Sequence, residues 1–231
     1  MKKVNQTIAR IYLGLGLIAF IAFFVLHFVH PSWYKENVYD FIIVCVNAGV
    51  GLIILFVNLL SKNLLKNIFL ALALIGTCFA DYFLTYKGAD YEVALIAFIV
   101  VQLLYYLLTI NMMKYLGIRL FITIVLRLVL IGIMVGVMFL LNKYSLLNLL
   151  VCIYFPLLVM NFVDAAINIF RIKNIWFSIV MALGFLFFIG CDVQVGLMNI
   201  GVSSITIFSI WICYIPSQVL LTSLGFIINN R

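Results

Sequence analysis

Charge is what this chain has least of. Asp, Glu, Lys and Arg make up 9% of its 231 residues, against about 25% in an ordinary soluble domain. Hydrophobic residues make up 68%, and mean hydropathy is +1.31. A water-soluble core of this size cannot hide that much apolar surface, so the bilayer must solvate most of the chain. Proline is scarce as well, with three residues in all and no low-complexity stretch. That argues against linkers and against a separate soluble domain, and the expectation is one integral membrane domain over residues 1–231. The net charge of +7 would fit a nucleic-acid partner only if the basic residues formed a patch with interleaved aromatics. They stand singly or in pairs between apolar runs, so no nucleic acid is expected. The five cysteines, Cys45, Cys78, Cys152, Cys191 and Cys213, fall inside apolar runs without metal-type spacing. They read as small core residues.

What the sequence does have is apolar runs. They cover residues 11–30, 39–60, 68–86, 91–112, 118–141, 145–170, 175–197 and 205–228. Each is long enough to cross about 30 Å of hydrocarbon with some tilt. The expected fold is all-α: a polytopic bundle of eight transmembrane helices, with sequential helices antiparallel because the connections are short. The first run follows Met-Lys-Lys, yet it is long for a signal peptide and no small-residue cleavage site follows it, so it is kept as a helix. Lys2, Lys3, Arg10, Lys62, Lys66, Lys114, Arg119, Arg171, Lys173 and Arg231 fall on one side of this topology, and only Lys35, Lys87 and Lys143 on the other. The excess places both termini in the cytoplasm. Trp33, Tyr34, Tyr39, Tyr86 and Tyr91 gather at the outer boundary as an interface belt would, and His27 and His30 read as interfacial. Abundant Ile, Asn and Lys point to a bacterium with an AT-rich genome, hence to the bacterial cytoplasmic membrane.

Ionisable groups in hydrocarbon are costly and pair with one another or serve a site. Four fall well inside the runs, away from their ends: Asp81, Arg127, Asp164 and Asp192. Arg127 and Asp164 belong to adjacent antiparallel runs at similar depth, which predicts a structural ion pair. Asn161, Asp164 and Asn168 share a helical face and are expected to line the bundle interior. Asp81 and Asp192 have no evident cationic partner. Thr77, Asp81 and Thr85 form one stripe, Gln102, Tyr106 and Thr109 a second, and Tyr214, Gln218 and Thr222 a third. Together they predict a polar pocket within an apolar bundle. The bland reading is that each aspartate merely hydrogen-bonds a neighbouring Tyr or Gln. The functional reading is a carboxylate pair, in which two close acids resist ionising together and one remains a proton donor. Asp81 and Asp192, nearly half the chain apart, are each followed by a run carrying Gln and Tyr. This echo fits a parallel duplication of four helices.

Established catalytic motifs are missing. There is no Gly-x-Ser-x-Gly, no His-Glu-x-x-His and no Gly-rich phosphate loop. Gly190-Cys191-Asp192 lacks the second glycine of the Gly-x-Gly-Asp carried by intramembrane aspartyl proteases. No metal or cofactor is called for. No pair of Pro- or Gly-broken helices stands out, which weighs against a transporter.

LGFLFFIGCDVQVGL (183–197) followed by YIPSQVLLTSLG (214–225) resembles the YhhN-like lysoplasmalogenase family, whose members carry Gly-x-Leu-x-Phe-x-x-Ser-Asp and then Tyr-Tyr-x-x-Gln. Gly184, Phe187, Asp192, Tyr214 and Gln218 fit. FLALALIGTCFADYFL (69–84) resembles the family's Phe-Ser-x-x-Gly-Asp helix, with Asp81 at the acid. FIVVQLLYYL (98–107) resembles its Phe-x-x-x-His-x-x-Tyr helix through Phe98 and Tyr105, and Tyr154 and Met160 fit its sixth helix. The chain departs from the pattern at Ala80 for glycine, Gln102 for histidine and Cys191 for serine, and Asn47-Ala48 stands near a family Lys-Pro. The resemblance implies an eight-helix fold and hydrolysis of the vinyl ether bond of lysoplasmalogens to a fatty aldehyde and a glycerophospho-head group. Asp81 and Asp192 would be catalytic. Tyr105, Gln102, Tyr154, Tyr214 and Gln218 would orient water or substrate, and a single-chain membrane lipid would enter laterally. A homodimer is compatible with this reading. A non-enzymatic proton-coupled transporter or lipid binder, and a homologue that has lost activity, are the alternatives.

Overall fold

Lipid offers no partner to a free N–H or C=O, so apolar runs of this length close their hydrogen bonds internally as helices. The structure is a computed structural model. It describes residues 63–86, 90–113, 117–170, 175–199 and 207–229, with Thr7, Ile11, Tyr12, Gly14, Leu15, Gly16, Ile18, Ile21, Ala22, Val25 and Gly49 as separate helical positions. The described helices are α1 Leu64–Asp81, continued by a π turn Tyr82–Tyr86, then α2 Tyr91–Met113, α3 Ile118–Leu140, α4 Leu146–Ile169, α5 Ile175–Asn199 and α6 Ile207–Asn229. Six helices among the described residues are long and apolar enough to cross a membrane, and no strand occurs among them. The chain is an all-α integral membrane protein. The second apolar run apart from Gly49, and most of the first, with His27, His30, Trp33, Tyr34, Tyr39, Cys45 and Asn47-Ala48, lie outside the described residues.

Local chemistry sets the helix ends. Asn63 closes the start of α1, its Nδ2 donating to the carbonyl of Ile228 at the far end of α6, 2.9 Å away. Gly117 takes φ 60° just before α3, a left-handed backbone that glycine adopts at no steric cost. Between α3 and α4, Asn142 has φ 52°, which Asn tolerates better than most residues. Ser145 caps α4 by accepting from the Asn148 N–H at 3.1 Å, satisfying one of the orphan donors of a helix start.

Two internal features depart from the expectation of uniform helices. Pro156 lies inside α4 and Pro216 inside α6, and both helices continue through them. Each proline removes one N–H from the helical ladder and crowds the preceding turn. α4 and α6 therefore form the pair of proline-interrupted helices that the sequence reading did not single out. The second feature is the π turn after Asp81. It shifts the side-chain register, so the α-helical spacing behind a Thr77, Asp81, Thr85 stripe ends at Asp81.

Five of the helices close a ring. α1 packs on α2, α2 on α4, α4 on α5, α5 on α6, and α6 back on α1. α3 stands outside against α4 and buries only Arg127 and Met138. Small residues allow close approach where the ring is tightest. A Cβ on Gly184 of α5 would meet Leu221 of α6 at 2.8 Å. Tyr12 and Gly16 lie against α6: the Tyr12 ring meets Phe226 at 5.7 Å, and a Cβ on Gly16 would touch Val219 at 3.0 Å. Short connections make consecutive helices antiparallel, so the end of α1 and the starts of α2, α4 and α6 share one end of the bundle with the end of α5. That end is called the upper end below.

Candidate functional site

Asp81 and Asp192 sit near the upper end of the ring, each held by a tyrosine from a proline-interrupted helix. The Tyr214 hydroxyl of α6 donates to Asp81 Oδ2 of α1. The Tyr154 hydroxyl of α4 donates to Asp192 Oδ2 of α5. Tyr214 stands two residues before Pro216, and Tyr154 two before Pro156. Asp81 is buried, and Asp192 is half-buried. The two pairs flank a shared aromatic wall. Tyr154 meets Phe98 at 5.7 Å, Phe98 meets Phe188 at 5.8 Å, and Phe188 meets Tyr214 at 5.9 Å between ring centroids. Trp211 closes on the other side of Tyr214 at 5.2 Å. Across this wall the charges are felt mutually: Asp81 is within electrostatic reach of Asp192, and each carboxylate reaches the tyrosine of the other pair.

The pairing does not repeat the internal echo in the sequence. Asp81 of the third run takes its tyrosine from the eighth, and Asp192 of the seventh takes its tyrosine from the sixth. Phe188 is fully buried in the wall, whereas Phe187 is 37% exposed. Cys191 is buried within electrostatic reach of both carboxylates. Gln194 and Cys213 lie beside it, with Gln194 Nε2 3.3 Å from Cys213 Sγ.

The other candidate residues divide between this site and a second cluster. Gln102 is fully buried on α2 and turns to α4, where its Oε1 accepts from Asn161 Nδ2 at 3.0 Å and its backbone carbonyl accepts from the same amide at 2.9 Å. Asn161 in turn accepts from Arg127 at 3.0 Å, and Arg127 donates to Asp164 Oδ2 at 2.6 Å. Arg127 also donates to the Thr123 carbonyl at 3.1 Å and stacks 3.7 Å above the centre of the Tyr106 ring. The Tyr106 hydroxyl meets Thr123 Oγ1 at 2.7 Å. Asn168 Nδ2 donates to the Asp164 carbonyl. Tyr106 therefore belongs to the Arg127 cluster at the α2–α3–α4 contact and not to the stripe expected for the aspartate pocket. The adjacent Tyr105 faces the ring interior instead, edge-on to Phe185 at 5.3 Å.

Tyr105 and Gln218 lie one tier below the aspartates, both buried. Thr77 and Thr109 spend their hydroxyls on their own helices, bonding Ala73 and Tyr105 carbonyls at 2.9 Å. Tyr12, which the sequence reading did not consider, is buried beside α6. Its hydroxyl lies 3.5 Å from the Val219 carbonyl and neighbours Thr222 and Tyr105. A tyrosine at the second position of the first apolar run was the available signal. Among the described residues no group of three His, Cys, Asp or Glu side chains could hold a metal ion.

Neither curated proteins nor solved structures give a match to the chain. A family model does match, over residues 41–224, a stretch that carries both aspartates, both tyrosines and the aromatic wall between them; the chain belongs to the YhhN family.

Proposed function

We propose that this protein hydrolyses the vinyl ether bond of lysoplasmalogens in the membrane, with Asp81 and Asp192 as the acid pair. Membership of the YhhN family supports a lysoplasmalogenase-like activity at the level of the family. The observation that carries the proposal for this chain is the pair of tyrosine-held carboxylates, within each other's electrostatic reach, on either side of Phe98 and Phe188.

An enol ether hydrolyses when an acid protonates the vinyl carbon that is not bonded to oxygen, leaving an oxocarbenium ion at the other, which water captures. The resulting hemiacetal collapses to an aldehyde and the free glycerol hydroxyl, and the proton returns to the pair. One carboxyl acts as the acid. The other, ionised, stabilises the cation and takes the proton from the attacking water, the division of labour of paired carboxylates in glycosidases. Tyr154 and Tyr214 fix the orientation of the two acids. The aromatic wall gives the oxocarbenium ion π faces to lie against. Gln102, although it stands at the family's histidine position, serves here as a positioning residue that ties α2 to α4 through Asn161.

The test is aldehyde release from a lysoplasmalogen by detergent-purified protein, beside Asp81→Asn and Asp192→Asn. Release by the wild type that disappears in both variants is the expected result. Full turnover in either well-folded variant refutes the assignment. No release by the wild type across several head groups moves the function to transport or lipid binding.

A further inference from the structure

Below the carboxylates the ring interior holds polar atoms that the protein leaves unanswered. Gln102 Nε2 on α2, Tyr105 Oη on α2, Ser178 Oγ on α5 and Gln218 Nε2 on α6 are buried and have no hydrogen-bond partner among the described residues. Their side chains are 0–1% exposed. Buried polar groups in native proteins are almost always satisfied, by protein or by ordered water.

These four belong to one region. Phe98, Gln102 and Tyr105 follow one face of α2, and that face meets α5: Phe98 on Phe188, Tyr105 on Phe185, and Thr109 Oγ1 3.5 Å from Met181 Sδ. Ser178 continues the α5 stripe of Phe188, Phe185 and Met181 toward the lower end. On α6, Gln218 lies one turn below Tyr214, which reaches Asp81, and one turn above Thr222, which neighbours Tyr12. Tyr12 in turn lies within electrostatic reach of Tyr105. Three ring helices thus carry unanswered polar groups on stripes that run from one turn below Tyr214 down to Ser178, about 21 Å along α5 from Asp192.

The chemistry of the set selects its occupant. Two of the four atoms can only donate, and the two hydroxyls can donate or accept. Arg127, the cation in mid-span among the described residues, is turned away into its contacts with Asp164 and Asn161. An anionic occupant such as a phosphate would therefore enter a site with two carboxylates above it and no described cation turned toward it. A neutral molecule that both accepts and donates fits, and water is the smallest.

We infer that the five-helix ring encloses a hydrated chamber beneath the carboxylate pair, in which Gln102, Tyr105, Ser178 and Gln218 hold ordered water. The chamber stands on this packing alone. Its role as the source of the hydrolytic water rests on the proposed hydrolase activity.

X-ray radiolytic hydroxyl-radical footprinting of the detergent-purified full chain tests it, because radicals born from bound water modify buried side chains that touch it. Met181 and Tyr105, both 0% exposed, are expected to be oxidised several-fold faster than a free interior would allow, and faster than Met138, a methionine on α3 outside the ring with 8% exposure. Gln218→Leu, checked for unchanged thermal unfolding, is expected to lower the Tyr105 rate several-fold. Met181 and Tyr105 rates at or below that of Met138 overturn the inference, as does a Tyr105 rate indifferent to Gln218→Leu. Native mass spectrometry of the same sample gives the remaining outcome: a retained lipid whose removal alone brings on the modification would make the region a head-group subsite and overturn the water assignment. All of these readings are taken without substrate, so an inactive protein with a hydrated chamber would sink the hydrolase proposal and leave this one standing.

Discussion

Replacing Arg127 by methionine is expected to lower stability far more than replacing Asp164 by asparagine, although the two share one ion pair. The reason lies in what each deletion leaves behind. Without Arg127, the buried Asp164 carboxylate loses the 2.6 Å donor that faces it, and Asn161 Oδ1 loses its donor too. Stranding one partner of a buried pair costs about 3–5 kcal/mol. Without the Asp164 charge, Arg127 keeps the Thr123 carbonyl, Asn161 Oδ1 and the Tyr106 ring. A desolvated cation–π contact alone is worth about 2 kcal/mol, so roughly half the loss is expected. For a chain of this size, each kcal/mol moves the unfolding midpoint by about 2–4 °C. Arg127→Met should therefore drop it by about 10 °C, and Asp164→Asn by about 5 °C. Arg127→Met combined with Asp164→Leu removes both charges together and should recover most of the loss, since matched apolar replacements of buried pairs are often neutral. The assay is thermal unfolding of these proteins and of the Asp164→Leu single variant in one detergent, so that Arg127→Met, Asp164→Leu and their combination close a double-mutant cycle with the wild type. Equal single effects that simply add would refute the reasoning, because they would mean that the pair is solvated and its partners independent.

Further outcomes follow from single contacts. Tyr106→Phe should cost about 1 kcal/mol, the worth of its bond to Thr123, while Tyr106→Leu should cost about 3 kcal/mol because the face under Arg127 goes as well; unfolding midpoints distinguish them. Tyr154→Phe and Tyr214→Phe each remove a hydroxyl donor to a carboxyl, a bond worth about 1.5–3 kcal/mol when the acceptor is charged. Each should lower aldehyde release about 10- to 100-fold and lower stability by about the worth of that bond, and unchanged turnover in both would separate the tyrosines from the chemistry. Gly184→Val places branched carbon where Leu221 already stands 2.8 Å from a single Cβ. It should destabilise by about 1–3 kcal/mol through overpacking, and Leu221→Ala in the same chain should recover part of it.

The sequence makes some of this legible and hides the rest for a physical reason. Charge in hydrocarbon is so costly that Asp81, Arg127, Asp164 and Asp192 announce themselves, and adjacency in the chain is enough to suggest that Arg127 meets Asp164. Helical periodicity then says which residues share a face, but not which helix that face meets. Tyr105 and Tyr106 are neighbours in the chain, yet one faces Phe185 in the ring and the other lies under Arg127. Gln102 reads as a pocket residue by its stripe, yet its Oε1 is spent on Asn161. The closure of α6 on α1, which gives Asp81 its tyrosine, joins the two ends of the described chain, and no local signal encodes it. One signal was local and went unused. Tyr-x-Pro occurs in both α4 and α6, and in each the tyrosine holds an acid.

That repeated Tyr-x-Pro supplies a sharper test of what the prolines do. Pro216 cannot donate to the carbonyl four residues back, so the turn that carries Tyr214 lacks one bond of the helical ladder. Proline inside a helix is about 3 kcal/mol less favourable than alanine, and Pro216 is half-buried, so little packing opposes its replacement. Pro216→Ala should therefore restore the ladder and raise the unfolding midpoint by a few degrees. The same restored bond should shift Tyr214 off Asp81 and lower aldehyde release about tenfold, the trade of stability against activity expected where a site is held in an unfavourable local geometry. Combining Pro216→Ala with Tyr214→Phe decides whether the activity loss runs through the tyrosine, because the second change should then cost little more. A more stable variant with undiminished turnover would show that the proline does not set the position of Tyr214. A destabilised one would show that the ring is packed around the proline.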